Sequence, residues 1–291
     1  MTDICFLVLH YKCISETINC VESIKKISER YSHCIVIVDN GSGNDTGDEL
    51  LSRYSKDQSV TVIISQDNLG FSRGNNLGYR YAKATHDPRF LVVTNNDIVF
   101  NQAEFIRHMM IAYKDTGFYV CGPDIYTASY CRHENPYDGI DSLNAIQKRL
   151  HLLGMYQRFM ILYALRTRMA RLKNAFRERL LGLKRRRHIN DTSTRTVTGL
   201  HGSCLVFSEK FISSEDAAFW PETFLYGEED ILCIRCNRRG YSMVYNPNMQ
   251  VYHGGAQSSK KRGRVRIAGY RSRVGHMIDS LNVIADKWNE I

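Results

Sequence analysis

Residues Phe90 to Phe100 read FLVVTNNDIVF. Leu91, Val92 and Val93 make a short apolar run, long enough for a buried strand. The run breaks into Thr94-Asn95-Asn96-Asp97, where β propensity collapses and polar side chains emerge together. An apolar strand that releases a carboxylate at its carboxyl end puts it where open α/β sheets bind ligands. Asp97 is therefore a candidate metal ligand. The alternative is a turn aspartate capping a helix that begins near Gln102.

The flanking sequence bears on that choice. Ile4 to Leu9 reads as a first strand, followed by a helix face at Ile14, Ile18, Val21, Ile24 and Ile27. Cys34 to Val38 is a second strand, ending in Asp39-Asn40-Gly41-Ser42. A short helix through Leu50, Leu51 and Tyr54 leads to a third strand, Val60 to Ile64, which ends in Asp67-Asn68-Leu69-Gly70. Leu77, Tyr81 and Ala84 mark the next helix. This alternation predicts a parallel sheet with helices on its faces. Parallel strands share a direction, so the polar clusters after strands two, three and four leave the same edge of the sheet. Three such clusters favour a binding role over three unrelated turns. The strand-one loop lacks the glycine pattern of a dinucleotide site, and no phosphate-loop motif is present. Gly70, Gly74 and Gly78 recur every four residues instead. Carboxylate and amide groups suit a base and a ribose, and an aspartate suits Mg²⁺ or Mn²⁺ bridging phosphates. A nucleoside diphosphate carrying a further group is the natural ligand.

The chain has 291 residues, 43% of them hydrophobic, and a formal net charge of +9. The charge is uneven. Between Asp141 and Asn190 thirteen Lys and Arg face only Asp141 and Glu178, a local +11 that leaves −2 for the remainder. The nine cysteines are scattered without framework spacing. Cys5, Cys34 and Cys204 lie in apolar runs, and the single Cys233-x-x-Cys236 falls in a helical pattern, so buried thiols in a reducing compartment are expected. No signal peptide or membrane span is expected: the apolar run Ile4 to Leu9 is too short for the first, and Phe159 to Leu165 for the second.

The motifs, taken in order, resemble those of family-2 glycosyltransferases with the GT-A fold, especially bacterial rhamnosyltransferase-like members. They are LVLHYK near the start, VDNGS at Val38 to Ser42, DNLGFSRGNNLG at Asp67 to Gly78 and TNNDI at Thr94 to Ile98. GLHGSCLVF at Gly199 to Phe207, FLYGEEDILCIR at Phe224 to Arg235 and YHGGAQSS at Tyr252 to Ser259 follow. The resemblance implies one α/β, Rossmann-like domain over residues 1–291, mostly a parallel sheet with helices on both faces. Residues 1–125 would bind the nucleotide sugar, 138–195 would be a basic helical insertion, 196–263 the acceptor and catalytic half, and 264–291 a helical tail. It further implies that Tyr11, Asp39, Asn40, Asp67, Asn68, Gly70, Arg73 and Asn75 hold the donor, with Asn95, Asn96 and Asp97 at its diphosphate. Asn95-Asn96-Asp97 is similar to the metal-binding Asp-x-Asp with its first Asp replaced by Asn. His253 would complete the site for Mg²⁺ or Mn²⁺, with Ser258 and Lys260 near the diphosphate. His201, Gly202 and Ser203 would shape the acceptor pocket.

Glu228-Glu229-Asp230 matches the family's acidic motif, with Glu229 at the base position and Asp230 as the alternative. One carboxylate there would take the proton from the acceptor hydroxyl. The competing explanation is an acidic first helical turn favoured by the helix dipole. The implied activity is inverting transfer from a nucleoside-diphosphate sugar, dTDP-rhamnose or a UDP-sugar, to a glycan or polyprenyl-linked saccharide in surface polysaccharide synthesis. Against it stand a non-catalytic sugar-nucleotide or polysaccharide-binding relative and a nucleic-acid-binding protein; the near-neutral remainder of the chain argues against nucleic acid as a partner.

The basic segment places Leu152, Tyr156, Phe159, Tyr163, Ala170, Phe176, Leu180 and Leu183 mostly at helical steps, with Arg and Lys between them. Two readings stand. One is an amphipathic surface for an anionic membrane, which fits a cytoplasmic protein seated on the inner face of the cytoplasmic membrane. The other is a helical hairpin packed on the domain.

Overall fold

The computed structural model describes residues 2–127, 132–140, 142–159, 161, 165–166, 168–170, 172, 193–254 and 267–291. The alternation read from the sequence is present as β1 (Ile4–His10), α1 (Ile14–Ser28), β2 (His33–Asn40), α2 (Thr46–Tyr54), β3 (Val60–Ser65), α3 (Gly70–His86) and β4 (Phe90–Asn95). Then come β5 (Ile98–Val99), α4 (Phe105–Thr116), β6 (Val120–Thr127), β7 (Arg132–His133), α5 (Leu143–Arg158), β8 (Arg195–Thr196) and β9 (Cys204–Ser208). The chain ends with α6 (Glu209–Ser214), α7 (Glu228–Arg239), β10 (Met243–His253) and α8 (Ile267–Asp286). The helix expected near Gln102 starts at Phe105, and Glu104 rather than Asp97 precedes it.

The described strands form one sheet in the order β3-β2-β1-β4-β9-β6-β10-β5, with β7 beside β6 and β8 beside β10. β3, β2, β1 and β4 are mutually parallel. β9 runs against both β4 and β6, and β10 is parallel to β6. The carboxyl ends of β1 to β4 therefore share one edge.

Strand residues alternate between two cores. Ile4, Phe6 and Val8 pack with Val21, Ile24 and Ile27 of α1. Cys5 and Leu7 pack with Tyr79 and Ala82 of α3. Burial on both faces explains the near-continuous apolar runs of these strands. The eight described cysteines are free thiols, and Cys233 and Cys236 are buried on α7.

The buried face of α3 is not the one its large apolar residues suggest. Ala84 is exposed, Leu77 and Tyr81 are half-buried, and Gly74, Gly78, Tyr79 and Ala82 face the sheet. The glycines let helix and sheet backbones approach. A Cβ on Gly78 would overlap Leu7 Cδ1 and lie 2.8 Å from Val38 Cγ2, and one on Gly74 would lie 2.8 Å from Leu9 Cδ1.

A third core joins α5 to α7 and α8. Ile140, Ile146 and Leu153 pack with Ile231 and Ile234 of α7 and with Tyr270, Val274, Leu281 and Ile284 of α8. The first helix of the basic segment is thus packed on the molecule, through Ile146 and Leu153 rather than Leu152. Leu152, Met155 and Phe159 point outward, and Ile161, Leu165, Met169 and Leu172 beyond them are also exposed. Tyr163, Phe176, Leu180 and Leu183 lie outside the described residues. Among the described residues no helix is long and apolar enough to cross a membrane.

Gly78→Ala tests the close packing of α3. Helix propensity alone favours alanine by about 1 kcal/mol, but overpacking against Leu7 and Val38 should win and destabilise the protein by about 1–3 kcal/mol. Urea unfolding of the variant measures the sign; a rise in midpoint would contradict the packing.

Candidate active site

The parallel edge gathers the first group of polar side chains. Asp39, at the end of β2, is buried and accepts hydrogen bonds from the backbone N–H of Ser42, at 3.3 Å, and from its hydroxyl. Ser42 Oγ in turn accepts from Lys12 N at 2.8 Å. His10, at the end of β1, contacts Thr17 Oγ1 at 2.6 Å and Thr46 Oγ1 at 2.9 Å, and burial lowers its pKa. Tyr11 is half-exposed beside this group, with the Lys12 ammonium 4.8 Å from its ring centre.

Asn40 is committed to the chain itself. Its amide donates to Asn68 Oδ1 at 3.2 Å and Gly70 O at 3.0 Å, and its carbonyl accepts from Leu69 N at 3.0 Å. Asn68 Oδ1 accepts from Gly70 N at 2.9 Å. The two asparagines shape the loop that presents Asp67, which is exposed. Asn75 donates to Phe71 O at 3.0 Å, and its buried Oδ1 has no partner among the described residues. Arg73 donates through Nε to Pro221 O at 2.8 Å and so faces the segment before α7.

The opening stretch delivers Asp97 by strand pairing. β5 pairs with β10 so that Ile98 faces His253, and Gly254 N donates to Asp97 O at 2.9 Å. Asp97 Oδ1 then lies 3.2 Å from His253 Nε2. Asn96 donates to Cys13 O at 3.3 Å and Thr17 Oγ1 at 3.0 Å, fastening the turn to the start of α1. Asn95 is fixed through its backbone, N donating to Ser203 O at 2.9 Å.

Hydrogen-bond accounting tests whether this pair fits a cation. Thr127, facing His253 across β6 and β10, contacts His253 Nδ1 at 3.2 Å. With Nδ1 held by Thr127, Nε2 is the ring nitrogen that faces the Asp97 carboxylate. One carboxylate and one imidazole nitrogen 3.2 Å apart, with a hydroxyl behind the imidazole, suit a divalent cation. Among the described residues no third His, Cys, Asp or Glu joins them.

The turn at 201–203 links this pair to the acidic helix. The His201 ring centre is 6.3 Å from that of His253. Ser203 donates to His201 Nδ1 from its backbone at 3.2 Å and its hydroxyl lies 3.0 Å away, leaving Nε2 to carry the proton. Burial pushes His201 down to about 4, so the ring is neutral at physiological pH. On the other side, a methyl placed on Gly202 would lie 3.8 Å from Glu229 Oε2 and 3.8 Å from the Phe71 ring. Glu229 and Phe71 thus border one space over Gly202.

α7 begins after two consecutive left-handed residues, Tyr226 at φ 71° and Gly227 at φ 81°. For Tyr226 that conformation costs on the order of 1–2 kcal/mol. α8 backs the turn: Ser280 Oγ donates to Leu225 O at 3.3 Å, and His276 stacks on Phe224 at 5.3 Å. The three acids that follow differ sharply. Glu228 is buried, its Oε2 without a hydrogen-bond partner among the described residues, and burial raises its pKa well above the carboxylate range. Asp230 is raised to about 6 by burial and by Glu229, against the pull of Arg149 and Tyr137. Glu229, half-buried, is also raised by burial. It is the acid that borders Gly202.

The sequence-derived residues thus fall into one connected region, except that Ser258 and Lys260 lie outside the described residues. Thr127, Tyr137 and Arg149 were not anticipated. Arg149, one of thirteen basic residues in its segment, had no distinguishing signal, and the others belong to no motif.

Comparison with known proteins bears on the family and the fold. A model of the family described as glycosyl transferase family 2 matches residues 5–207. The low-salt glycan biosynthesis hexosyltransferase Agl10 of Haloferax volcanii is 26% identical over 125 residues, which is 43% of this chain and 37% of that protein. Among solved structures, GalNAc-T7 with UDP, GalNAc and Mn²⁺ superposes with a TM-score of 0.56 at 14% identity, over 87% of this chain and 44% of the other. S. aureus TarS 1-349 superposes with a TM-score of 0.53 at 10% identity, over 97% and 72%. These two carry the GT-A fold, and the match of more than half the chain to the family model decides the assignment: the chain belongs to glycosyl transferase family 2.

Proposed function

We propose that the chain transfers a sugar from a nucleoside-diphosphate sugar, dTDP-rhamnose or a UDP-sugar, to a hydroxyl of a glycan or polyprenyl-linked saccharide, with inversion and with a divalent cation. The observation that carries this reading is the 201–203 turn. Its Gly202 lies against Glu229, and its His201 lies near His253, the partner of Asp97. A base and a cation site joined through one short turn suit a single displacement: one end removes a proton, the other receives a leaving diphosphate.

Asp39 and Asp67 serve the nucleoside, with Tyr11 beside them, while Asn40, Asn68 and Gly70 hold the loop in shape. Asp97 and His253 hold Mg²⁺ or Mn²⁺, with Asn95 and Asn96 fixing their turn. The cation, when bound, supplies positive charge to the diphosphate oxygens. Glu229 accepts the acceptor proton. Its raised pKa brings it nearer neutral pH, where a general base is most effective. His201, neutral and with its Nδ1 occupied by Ser203, serves the acceptor saccharide as a donor through Nε2–H.

The exposed apolar row from Leu152 to Leu172 supports a further part of the reading, peripheral contact with an anionic membrane that carries the acceptor. Phe159 is 54% and Met169 68% exposed, with Arg158, Arg166 and Arg168 beside them. Bulky apolar groups set among cations suit the boundary between acyl chains and anionic headgroups.

Three measurements test these statements. Glu229→Gln should lower turnover by roughly 10²–10⁴-fold, the usual contribution of a positioned base, and leave donor affinity intact by calorimetry; wild-type turnover would sink the base. Asp97→Asn should abolish the Mn²⁺ dependence of donor binding, and unchanged dependence would remove Asp97 from the cation site. Phe159→Ser with Met169→Ser should reduce co-sedimentation with phosphatidylglycerol vesicles without altering donor binding. Equal co-sedimentation would leave the row without a membrane role.

A further inference from the structure

Arg149 projects from α5 across to the acidic helix. Its Nη1 lies 3.2 Å from Asp230 Oδ2, while the Tyr137 hydroxyl lies 3.4 Å from Asp230 Oδ1 and 3.8 Å from Cys233 Sγ. Both oxygens of Asp230 are therefore occupied by groups from the segment that precedes and opens the basic region. α5 is held in place by Ile146 and Leu153, packed with Ile231 and Ile234 of α7. Arg149 lies between those two anchors at helical steps of three and four residues. The clasp is thus built on a rigid element.

We propose that Arg149 is a positioning residue of the acidic motif: by clasping Asp230 it keeps that carboxylate charged and turned from the reacting space, so that Glu229 alone serves as base. The proposal rests on the reading of Glu229 given above. Adjacent helix residues point about 100° apart, which separates the two side chains but does not remove their mutual repulsion. Among the described residues, the titratable and charged groups facing Asp230 are Glu228, Glu229 and Cys233 on its own helix, Tyr137 from the preceding segment and Arg149 from α5. Arg149 is the only cation among them, and its charge also acts on Glu229. An opposite charge within hydrogen-bond reach favours the ionised carboxylate by about 1–3 pKa units. Without it, Asp230 and Glu229 compete for protons, and Glu229 loses its charge at a higher pH.

The test combines carboxyl ¹³C titration of Asp- and Glu-labelled protein with the pH dependence of turnover, in wild type, Arg149→Gln and Arg149→Lys. In Arg149→Gln the Asp230 and Glu229 midpoints should rise by about one unit or more. The acid limb of turnover should move with them, lowering the rate on that limb by about tenfold per unit. Arg149→Lys should restore much of both, and its folded amide spectrum guards against loss of structure. In an Asp230→Asn background Arg149→Gln should cost much less, because the charge it offsets is gone. Unmoved midpoints in Arg149→Gln would overturn the proposal. So would midpoints that move while the acid limb stays, which would leave Arg149 a structural ion pair. The reading of Glu229 fails separately, through a Glu229→Gln protein that turns over at the wild-type rate.

Discussion

The first two turns of α3 hold the two sides of the site together. Asn76 donates to Phe219 O at 2.7 Å and accepts from Phe219 N at 2.9 Å, both buried. Ser72 and Thr223 share a hydrogen bond at 2.8 Å, and Phe71 N donates to Phe224 O at 2.7 Å. Gly70 permits this closeness, since a Cβ there would overlap Phe224 O. The first of these turns carries the loop shaped by Asn40 and Asn68. The nucleotide-side edge and the approach to the acidic helix are therefore one hydrogen-bonded unit, and displacing either would strand buried amide groups at a cost of about 1–3 kcal/mol each.

Beyond that unit, the segment from 215 to 219 is locked by charge. Glu215 pairs with Arg235 at 2.6 Å, both buried, and with Arg239, while Arg235 also donates to Ala218 O at 3.3 Å. The arginine that closes the acidic motif thus braces the loop behind the helix. A buried pair of this kind is costly to break from one side, because the partner charge is left without compensation. The acids at the start of α7 and the arginines near its end divide two tasks along one helix, reactivity first and anchorage after.

Much of this was legible in the sequence because it follows from local rules. Strands buried on both faces show as apolar runs, and β1 to β4 were read within two residues of their observed ends. The shared polar edge followed from parallel direction alone. Contacts made by tertiary structure were hidden. The paired asparagines looked like ligand groups, yet Asn40 and Asn96 are used by the backbone, and no periodicity distinguishes those roles. Leu77 and Tyr81 marked α3, but the close approach of its glycines to the sheet carries no apolar signal. Thr127 meets His253 only through the pairing of β6 with β10. Arg149 is one cation in a run of thirteen until α5 packs.

The three acids of α7 carry a thermodynamic cost. Asp230 titrates at about 6 rather than near its ordinary value of 3.8, so the folded chain holds its proton to higher pH than the unfolded chain. The sign follows: between those values folding takes up a proton, and stability falls as pH rises through the window, by on the order of 3 kcal/mol for a shift of two units. Glu228 and Glu229 are displaced in the same direction. The head of α7 therefore contributes most to stability where its acids are protonated and least where one of them can act as a base. Endurance and turnover pull in opposite directions at the head of a single helix, and a chain selected for heat resistance alone would be expected to lose these acids first.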